Sequence, residues 1–259
     1  MDLGIRGRKA LVCASSRGLA KACAMALARE GCDVCINGRD EAVLIRTAEE
    51  IRSAYGVHVT AVAADLNSEA GRQPLLAACP DADILVTNNG GPPPGSFAVW
   101  GHAEWLQALE ANMLAAIFLI KALLPGMRAR KFGRIVNITS ARVKTPTERM
   151  GLSSSARAGL TALCKGLSRE VAVDNVTINN LLPERIDTSR QEFMAAEMAT
   201  SEAIAREEAL AKITGTIPAG RLGRPEELGD ACAFLCSAQA GYISGQNLQL
   251  DGGAYRGLV

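Results

Sequence analysis

Seven short apolar runs recur along the 259 residues of the chain, and segments of helical character separate most of them. The runs are KALVCAS, CDVCING, VHVTAVAAD, ADILVTNN, GRIVNITS, VTINNLLP and QNLQLDGG. Apolar strands that alternate with helices form parallel sheets whose two faces are both covered. The pattern therefore predicts an α/β fold: a single doubly wound domain over residues 1–259, with a seven-stranded parallel sheet and helices on both faces.

The segments between these runs show helical periodicity or helix-start residues. The expected helices cover about residues 18–30, 41–55, 102–129, 151–173, 189–213 and 224–237. We expect the third helix to break near Pro125-Gly126, because a proline removes a backbone hydrogen bond inside a helix. Its most apolar stretch, residues 113–120, is eight residues long and ends at Lys121, which is too short to span a bilayer.

Charge and cysteine usage exclude several classes of protein. A net charge of +1 gives no broad field that would attract nucleic acid or a membrane surface. The opening residues, MDLGIRGRKALV, carry charges where a signal peptide needs an apolar stretch, so we expect a cytoplasmic protein. The eight cysteines lack the spacing of a metal site, and Cys32 and Cys35 would point to opposite faces of a strand. We interpret them as reduced core residues and predict no metal.

The turn after the first strand, ASSRGLA at 14–20, opens a helix. In dinucleotide-binding folds the backbone N–H groups of such a turn, with the helix N-terminus, face a pyrophosphate. Gly18 allows close backbone approach, whereas Ala14 and Ala20 stand where further glycines are common. An ordinary tight turn would explain the same residues. The predicted phosphate-binding residues are Ser15, Ser16, Arg17, Gly18 and Leu19.

The end of the second strand selects the nucleotide. An acidic side chain there would accept from the 2′-hydroxyl of the adenosine ribose and favour NAD. This chain has Gly38 and Arg39 instead, and Arg17 adds a second cation. A guanidinium can hold a 2′-phosphate with two hydrogen bonds, so we predict NADP(H) over NAD(H). The alternative is that both arginines are solvated and that Asp40 only caps the next helix.

An ordered series of motifs runs through the chain: VCASSRGLA, AADL, LVTNNGG, LEANM, GRIVNITS, LLPERIDT, GRLGRPEELGDACAFLCS and YISGQNLQLDGG. The series resembles the short-chain dehydrogenase/reductase family over essentially the whole chain, and most of all its 3-oxoacyl-carrier-protein-reductase-like members. The resemblance implies a Rossmann-like fold. It also implies that Asp65 and Leu66 lie at the adenine, that Asn88, Asn89 and Gly90 line the adenosine ribose, and that Pro183, Ile186 and Thr188 lie against the nicotinamide.

The catalytic positions match the family only in part. The family's set is Asn, Ser, Tyr and Lys, and Asn112 and Ser140 match the first two. The expected positions of the tyrosine and the lysine hold Ser153 and Arg157, and the chain's three tyrosines lie outside this helix. The chain is therefore similar to an atypical subgroup that lacks the usual Tyr-x-x-x-Lys pair and carries Ser-x-x-x-Arg.

This exchange changes the chemistry of the helix. A phenol near an ammonium group has its pKa lowered from about 10 towards neutrality and gives its proton to the carbonyl oxygen. A serine hydroxyl is a much weaker acid and is shorter by a whole ring. Arg157 can hydrogen-bond to the nicotinamide ribose, but with a pKa above about 12 it cannot relay protons at neutral pH.

Other residues near the matched serine offer compensating chemistry. Lys144 is the best candidate for a replacement acid, and Glu184 and Arg185 stand beside the nicotinamide position, where the family usually has Pro-Gly. Several cations around one opening favour an anionic substrate group, although each one taken alone reads as a solvated loop charge. We also expect the proline-rich stretch GGPPPGSF, residues 90–97, to form a rigid wall of the substrate cleft.

We predict an NADP(H)-dependent oxidoreductase that acts on a small-molecule carbonyl or alcohol, with Asn112, Ser140, Ser153, Arg157 and Lys144 as candidate catalytic residues. Two alternatives stay open: a non-catalytic nucleotide-binding protein and an enzyme of another reaction class. The missing phenol favours the first alternative, and the retained Asn112 and Ser140 favour an enzyme. The apolar helices over 102–129 and 151–173 predict a homotetramer or at least a dimer, with no nucleic-acid or membrane partner.

Overall fold

The computed structural model describes residues 1–258, and its centre is one sheet with the strand order β3-β2-β1-β4-β5-β6-β7. The strands are β1 Lys9–Val12, β2 Asp33–Gly38, β3 Val59–Ala63, β4 Ile84–Thr87, β5 Gly133–Ile138, β6 Val176–Pro183 and β7 Asn247–Leu250. Every pairing between neighbours is parallel, which confirms the predicted sheet. Because β1 pairs with both β2 and β4, the strand order reverses there, and a crevice opens at their carboxyl ends.

Helices cover both faces of this sheet. They are α1 Gly18–Arg29, α2 Glu41–Tyr55, α3 Glu69–Ala78, α4 His102–Leu109, α5 Ala115–Ala129, α6 Gly151–Val171, α7 Ser189–Glu202, α8 Arg206–Gly215 and α9 Pro225–Cys236. The single helix predicted over 189–213 is two helices, because Ala203 adopts a left-handed conformation, with φ 53°, that ends α7. The sequence analysis missed α3, which contains Pro74 but is capped by the Ser68 side chain.

The core is divided by the sheet into two apolar layers. On one face α1 and α9 pack closely, and a Cβ on Gly229 would lie 2.6 Å from the Ala22 carbonyl oxygen. On the other face α3, α5 and α6 cover the sheet. Cys32 belongs to the first layer and Cys35 to the second, as the strand periodicity predicted.

The helical segment over 102–129 corrects one expectation. The helix does not break at Pro125-Gly126, because α5 continues to Ala129 with Pro125 inside it. The irregularity lies earlier, where Glu110–Leu114 forms a π-helical turn between α4 and α5. A π turn accommodates one extra residue in a helix and is frequent at functional sites. It places Asn112, which is 5% exposed, at the crevice.

By length and composition this 28-residue helix, His102–Ala129, is apolar enough to cross a membrane, with a mean hydropathy of 1.6 in its most apolar window. The sequence analysis judged this segment too short to span a bilayer because it counted only the eight uninterrupted apolar residues at 113–120. The helix that contains them is long enough. In the fold, 44% of that window is buried inside the domain, with Leu119, Leu123 and Met127 in the core. A core helix of a water-soluble protein passes the same test, so composition alone assigns no membrane role here.

All eight cysteines are free and buried. Burial raises the pKa of the Cys13, Cys32 and Cys35 thiols to about 12, so they are protonated and unreactive at neutral pH. This supports their interpretation as small core residues.

Candidate active site and nucleotide groove

The turn between β1 and α1 is shaped by two residues with positive φ and by hydrogen bonds to neighbouring strands. Ser15, predicted to bind phosphate, is fully buried and donates its N–H to the Asn37 carbonyl at 2.7 Å, so it anchors the turn from below. Ala14 and Gly18 both have positive φ, 46° and 59°, which turns the chain sharply towards the helix. The turn is anchored from below, because the Ser15 hydroxyl donates to the Val12 carbonyl at 2.7 Å and the Asn37 side-chain oxygen accepts from the Ala14 N–H at 3.2 Å. The backbone of this segment is therefore fixed by hydrogen bonds to neighbouring strands.

The N-terminus of α1 faces the crevice. Arg17 precedes the helix in an extended conformation, and its side chain does not cap the first turn. The first N–H groups of a helix have no partners within it, so they offer donors and a positive dipole end to an anion. Across the groove lies Thr188, whose Cγ2 would be 3.9 Å from a Cβ on Gly18. The predicted phosphate turn and the predicted nicotinamide segment thus face each other.

The end of β2 packs against the same turn. A Cβ on Gly38 would lie 2.8 Å from the Ser16 hydroxyl oxygen, so the glycine permits this close contact. Arg17 pairs with Asp40 at 3.3 Å, and Asp40 also accepts from the Val43 N–H as a helix cap. Arg39 is exposed and has no ion pair within residues 1–258, which leaves its guanidinium available to a ligand.

The predicted adenosine residues gather at the carboxyl ends of β3 and β4. Asp65 accepts from the Asn67 N–H at 3.1 Å, and Asn89 donates its side-chain amide to the Asn67 side chain at 2.9 Å. Asn88 reaches across to the Ala14 carbonyl at 3.5 Å. Leu66 is buried beneath them. These residues form one edge of the crevice next to the phosphate turn.

Asn112 connects this edge to the interior. Its amide donates to the Gly90 carbonyl at 3.1 Å, while its side-chain oxygen is buried without a hydrogen-bond partner. It borders a small cavity of about 20 Å³ that Thr87, Asn88 and Arg157 also line. A space of that size among polar atoms suits one water molecule.

Ser153 and Arg157 form a contact within α6. The Arg157 Nε donates to the Ser153 hydroxyl oxygen at 3.2 Å, and its Nη1 donates to the Ile138 and Thr139 carbonyls at 2.9 and 3.1 Å. These bonds tie the side chain to the carboxyl end of β5. Ser153 is 4% exposed, and its hydroxyl is already engaged by the guanidinium.

The charge of Arg157 is not balanced by a carboxylate. Within residues 1–258 it forms no ion pair, and its Nη2 has no hydrogen-bond acceptor. Burial first, and the positive charge of Arg190 second, lower the pKa of the Arg157 guanidinium to about 10. Nη2 borders the cavity near Gly91, where a Cβ would lie 3.7 Å away. The site therefore presents an unused charged donor.

Two adjoining cavities open in this region, and the Arg157 guanidinium lines the inner one. The inner cavity, of about 400 Å³, is lined by Leu19, Ser153, Arg157 and Thr188 among others. The outer cavity, of about 720 Å³, continues towards Arg149, Met194, Met198 and Ile213. The residues that line both are Ser140, Met150, Pro183, Glu184, Arg185, Arg190 and Gln191. Pro92 lines the inner and Pro94 the outer cavity, so the proline-rich stretch forms part of the wall.

The floor between the cavities is held by hydrogen bonds. The Ser140 hydroxyl oxygen accepts from the Arg142 N–H at 3.2 Å, and the Arg142 guanidinium donates to the Glu184 carboxylate at 2.7 Å. Arg185 lies 3.9 Å from the same carboxylate and has a positive φ of 57°. Residues other than glycine rarely adopt this conformation, and the cases that occur are concentrated at functional sites.

Two residues of the cleft were missed by the sequence analysis. Arg190 and Gln191 follow Thr188 at the start of α7 and line both cavities. Gln191 is 8% exposed, and its amide nitrogen is buried without an acceptor. Their position directly after the predicted nicotinamide segment was the one available signal.

Lys144 lies apart from this arrangement. Its ammonium group is 5.0 Å from the centre of the Tyr255 ring, near the end of the chain. Among the described residues, the linings of the inner and outer cavities do not include Lys144. The geometry gives no support to its role as the replacement acid, which stays a prediction.

Comparisons with known proteins find relatives that match nearly the whole chain. A family model described as enoyl-(acyl carrier protein) reductase matches residues 13–255. The chain is 32% identical to the 3-oxoacyl-[acyl-carrier-protein] reductase FabG of Aquifex aeolicus, over 98% of this chain and 100% of that protein. It is 30% identical to the NADPH-dependent reductase BacG of Bacillus subtilis, over 97% and 99%. The crystal structure of L-sorbose reductase from Gluconobacter frateurii, complexed with NADPH and L-sorbose, superposes with a TM-score of 0.95 at 30% identity and 100% coverage of both chains.

Proposed function

This chain belongs to the short-chain dehydrogenase/reductase family, and from that premise we propose that it is an NADP(H)-dependent oxidoreductase whose active site works without the usual tyrosine. The proposed reaction is reduction of a carbonyl group, or oxidation of the corresponding alcohol. The observation that carries the proposal is the Arg157 side chain, which spans from Ser153 to the end of β5 and keeps Nη2 for a ligand.

The groove fits a nicotinamide nucleotide with a 2′-phosphate. The uncapped N-terminus of α1 offers N–H groups to the pyrophosphate, and Arg39 lies without an acidic partner within residues 1–258. BacG is an NADPH-dependent reductase and L-sorbose reductase was crystallised with NADPH, which supports NADP(H) over NAD(H) here. The bound nucleotide supplies or accepts the hydride. Asp65, Asn89 and the residues between Pro183 and Thr188 would hold its two ends.

Arg157 replaces the positioning role of the family's lysine. Its Nη1 is used by the Ile138 and Thr139 carbonyls, so the guanidinium has a fixed direction. Nη2 then donates to a nicotinamide ribose hydroxyl or to an acceptor on the substrate. Because Arg157 stays charged at neutral pH, it contributes orientation and charge and does not move a proton.

Ser140 and Asn112 keep their family roles in this proposal. The Ser140 hydroxyl accepts from the Arg142 N–H, so its own proton is available to a substrate oxygen in the cleft. Asn112 lies in the π turn, where its buried side-chain oxygen faces the small internal cavity. Ser153 acts through Arg157, whose Nε it fixes, and supplies no proton.

The charges around the cleft favour a substrate with an anionic group. Of the arginines that line the two cavities, Arg142 and Arg185 are paired with Glu184. The remaining three, Arg149, Arg157 and Arg190, form no ion pair within residues 1–258. The Gln191 amide adds a buried donor without an acceptor. An unpartnered buried donor costs about 1–3 kcal/mol, and a bound carboxylate would remove that cost.

A panel of oxo acids and their methyl esters tests the proposal. Acetoacetate, 4-oxopentanoate and 5-oxohexanoate place the carbonyl at increasing distance from the carboxylate, and NADPH consumption reports turnover. We expect at least one acid to have a KM about 10-fold below that of its ester, because the guanidinium bond to a carboxylate is charge-assisted. Arg190→Gln should reduce that difference, since Arg190 and Arg157 are the two arginines of the inner cavity that are unpaired within residues 1–258. Turnover that is equal for acids and esters would overturn the anionic substrate, and failure to bind NADPH would overturn the oxidoreductase.

One observation favours a second candidate, a nucleotide-binding protein without turnover. The Ser153 hydroxyl is engaged by Arg157, so the position of the usual phenol holds no acid. NADPH binding without consumption across the whole panel would support this candidate.

We further propose a homo-oligomer, a tetramer or dimer, in the cytoplasm. Leu106, Phe118 and Leu163 are 53%, 43% and 43% exposed on α4, α5 and α6, so an apolar surface is left for a second copy. A monomer in light scattering at micromolar concentration would contradict it.

A further inference from the structure

We infer that Arg72 is a positioning residue, which joins the segment that carries Asp65 and Leu66 to the π turn that carries Asn112. This inference rests on the proposed function, since it concerns how the adenine end of the nucleotide groove and a proposed catalytic residue are held together. Arg72 lies on α3, and among residues 1–258 it does not line the cavities described above. It therefore acts through the residues that it contacts.

The Arg72 side chain is buried between two segments that are far apart in the sequence. Arg72 is 7% exposed, and its Nη1 donates to the Leu66 carbonyl at 2.8 Å and to the Glu110 carboxylate at 2.7 Å. The guanidinium carbon also lies 5.1 Å from the centre of the Phe118 ring on α5. One nitrogen thus binds an acceptor from the segment after β3 and an acceptor from the π turn at the same time.

Both of these segments line the same small cavity. Leu66 and Asn112 border the cavity of about 20 Å³ described above. Glu110 is the first residue of the π turn, two residues before Asn112. Arg72 therefore connects two walls of this cavity, and the turn that places the Asn112 side chain is anchored at its first residue.

Helix α3 is itself fixed against the predicted adenine segment. Gly71, next to Arg72, packs so closely that a Cβ there would lie 1.7 Å from the Asp65 carbonyl oxygen. The Ser68 hydroxyl accepts from the Gly71 N–H at 3.1 Å and caps the start of the helix. The backbone of Arg72 therefore has a fixed position relative to Asp65, and its guanidinium carries that position to Glu110.

Ion pairs also stabilise folds, so a matched arginine at the opposite edge of the sheet provides the control. Arg130 donates to one carboxylate, that of Asp83 at 3.2 Å, and to one backbone carbonyl, that of Ala82 at 2.8 Å. Asp83 directly precedes β4, so this pair lies at the amino ends of the strands, away from the crevice. Arg130→Met thus removes bonds of the same kind without touching the proposed site.

The first experiment measures both ends of the connection in Arg72→Met. Adenosine 2′,5′-bisphosphate carries only the adenine end of NADPH, and calorimetric titration should show that it binds about 10-fold more weakly, because Leu66 loses its anchor. At saturating NADPH and oxo acid, kcat should also fall about 10-fold, because small displacements of a group at the reacting centre slow the reaction. Arg130→Met should match the parent in both measurements.

The second experiment separates positioning from a general loss of stability. Glu110→Ala keeps the Arg72 bond to the Leu66 carbonyl and removes the acceptor on the π turn. We expect kcat to fall about 10-fold while the KM for the oxo acid and the affinity for adenosine 2′,5′-bisphosphate stay at the parent values. Glu110→Gln keeps an acceptor oxygen, so it should recover about half of the parent's kcat. A residue that only stabilises the fold would not divide these quantities in this way.

The outcomes distinguish this inference from the proposed function. Failure of the proposed function shows in the parent, which would then bind no NADPH or reduce no member of the panel. If the parent turns over and Arg72→Met keeps its kcat and its affinity for the bisphosphate, the inference is overturned and the proposed function stands. If Arg72→Met does not fold, the Glu110 variants decide, and an unchanged kcat in Glu110→Ala would show that Arg72 serves the fold alone.

Discussion

Two arginines without a carboxylate partner lie at opposite ends of β5, and their hydrogen bonds differ. Arg134 is 2% exposed at the amino end, where its Nε donates to the Ser237 carbonyl at 3.2 Å. Its Nη1 donates to the Gly133 and Asn175 carbonyls at 2.8 and 2.9 Å, and its Nη2 reaches the Asn175 side chain at 3.4 Å. Each of its three nitrogens has an acceptor, so the charge serves the fold.

Arg157 lies at the carboxyl end of the same strand and is bonded less completely. Its Nε and Nη1 have acceptors in Ser153, Ile138 and Thr139, whereas Nη2 borders the inner cavity. Burial lowers the pKa of both guanidinium groups from their usual value. The comparison shows that burial alone does not identify a functional arginine. The donor that remains unused, at the edge of the sheet where ligands bind in this fold, is what supports the proposed ligand-binding role of Arg157.

Neutralising the two arginines should have the largest and most unequal effect. Arg134→Met removes the hydrogen bonds to the Ser237, Gly133 and Asn175 carbonyls, of which Asn175 keeps the Gly133 N–H as a donor, so we expect it to lower the free energy of unfolding by about 3 kcal/mol. Arg157→Met loses two carbonyl bonds but also removes a half-buried charge that no carboxylate balances, so we expect a change within about 1 kcal/mol. Urea unfolding of the two variants measures the difference. Equal losses would break the distinction between the two ends of β5.

Ser140→Ala tests whether the carboxyl end of β5 is the reacting end. Ser140 follows the strand and lines both cavities, so removing its hydroxyl should lower kcat about 100-fold on an oxo acid. NADPH affinity should stay at the parent value, because the proposed partner of this hydroxyl is a substrate oxygen and not the nucleotide. An unchanged kcat would remove Ser140 from the proposed site.

Arg39 extends the comparison to an arginine at the surface. It has no ion pair within residues 1–258, whereas its neighbour Arg17 is paired with Asp40. We expect Arg39→Ala to weaken NADPH binding about 10-fold without changing NADH binding, and Arg17→Ala to have a smaller effect. Fluorescence titration with both nucleotides decides this. Equal affinities of the parent for NADPH and NADH would contradict the predicted preference.

The smallest expected effect is a loss of anion affinity at high pH. The pKa of Arg157 is lowered to about 10, so its charge is complete below that pH and is lost as pH rises through it. Binding of 4-oxopentanoate should therefore weaken several-fold above about pH 10, since the cation that attracts the carboxylate disappears. Calorimetric titration of Arg157→Met provides the control, because that variant should show weak binding without this pH-dependent step. The same loss in Arg157→Met would assign the titration to another group.

The sheet could be predicted from the sequence because its pattern is local. Seven apolar runs and their spacing were sufficient for the strand number and the parallel direction. The contact between Ser153 and Arg157 was also within reach, since residues four apart on a helix are neighbours. The preference for NADP(H) depended on Gly38 and Arg39, which lie together at the end of one strand.

Other features depend on contacts between distant segments. The residues of the π turn at 110–114 are of types that are also common in ordinary α-helices, so the sequence does not reveal the turn. The sequence analysis therefore predicted the helix break at Pro125 instead. Lys144 was chosen for its charge, yet its position is set by packing against Tyr255. The unpartnered Gln191 amide becomes visible only when the acceptors around it are known.

Arg157 is proposed to bind a ligand through Nη2, and NADPH titration of Arg157→Met tests this role most directly. The side chain is tied to β5 by two carbonyl bonds and leaves Nη2 at the cavity. We predict that the free energy of unfolding of the variant stays within about 1 kcal/mol of the parent's, and that the variant binds NADPH at least about 10-fold more weakly, as expected for loss of a hydrogen bond from a charged donor. A variant that binds NADPH with the parent's affinity but unfolds at a lower urea concentration would show that Arg157 serves the fold and not a ligand.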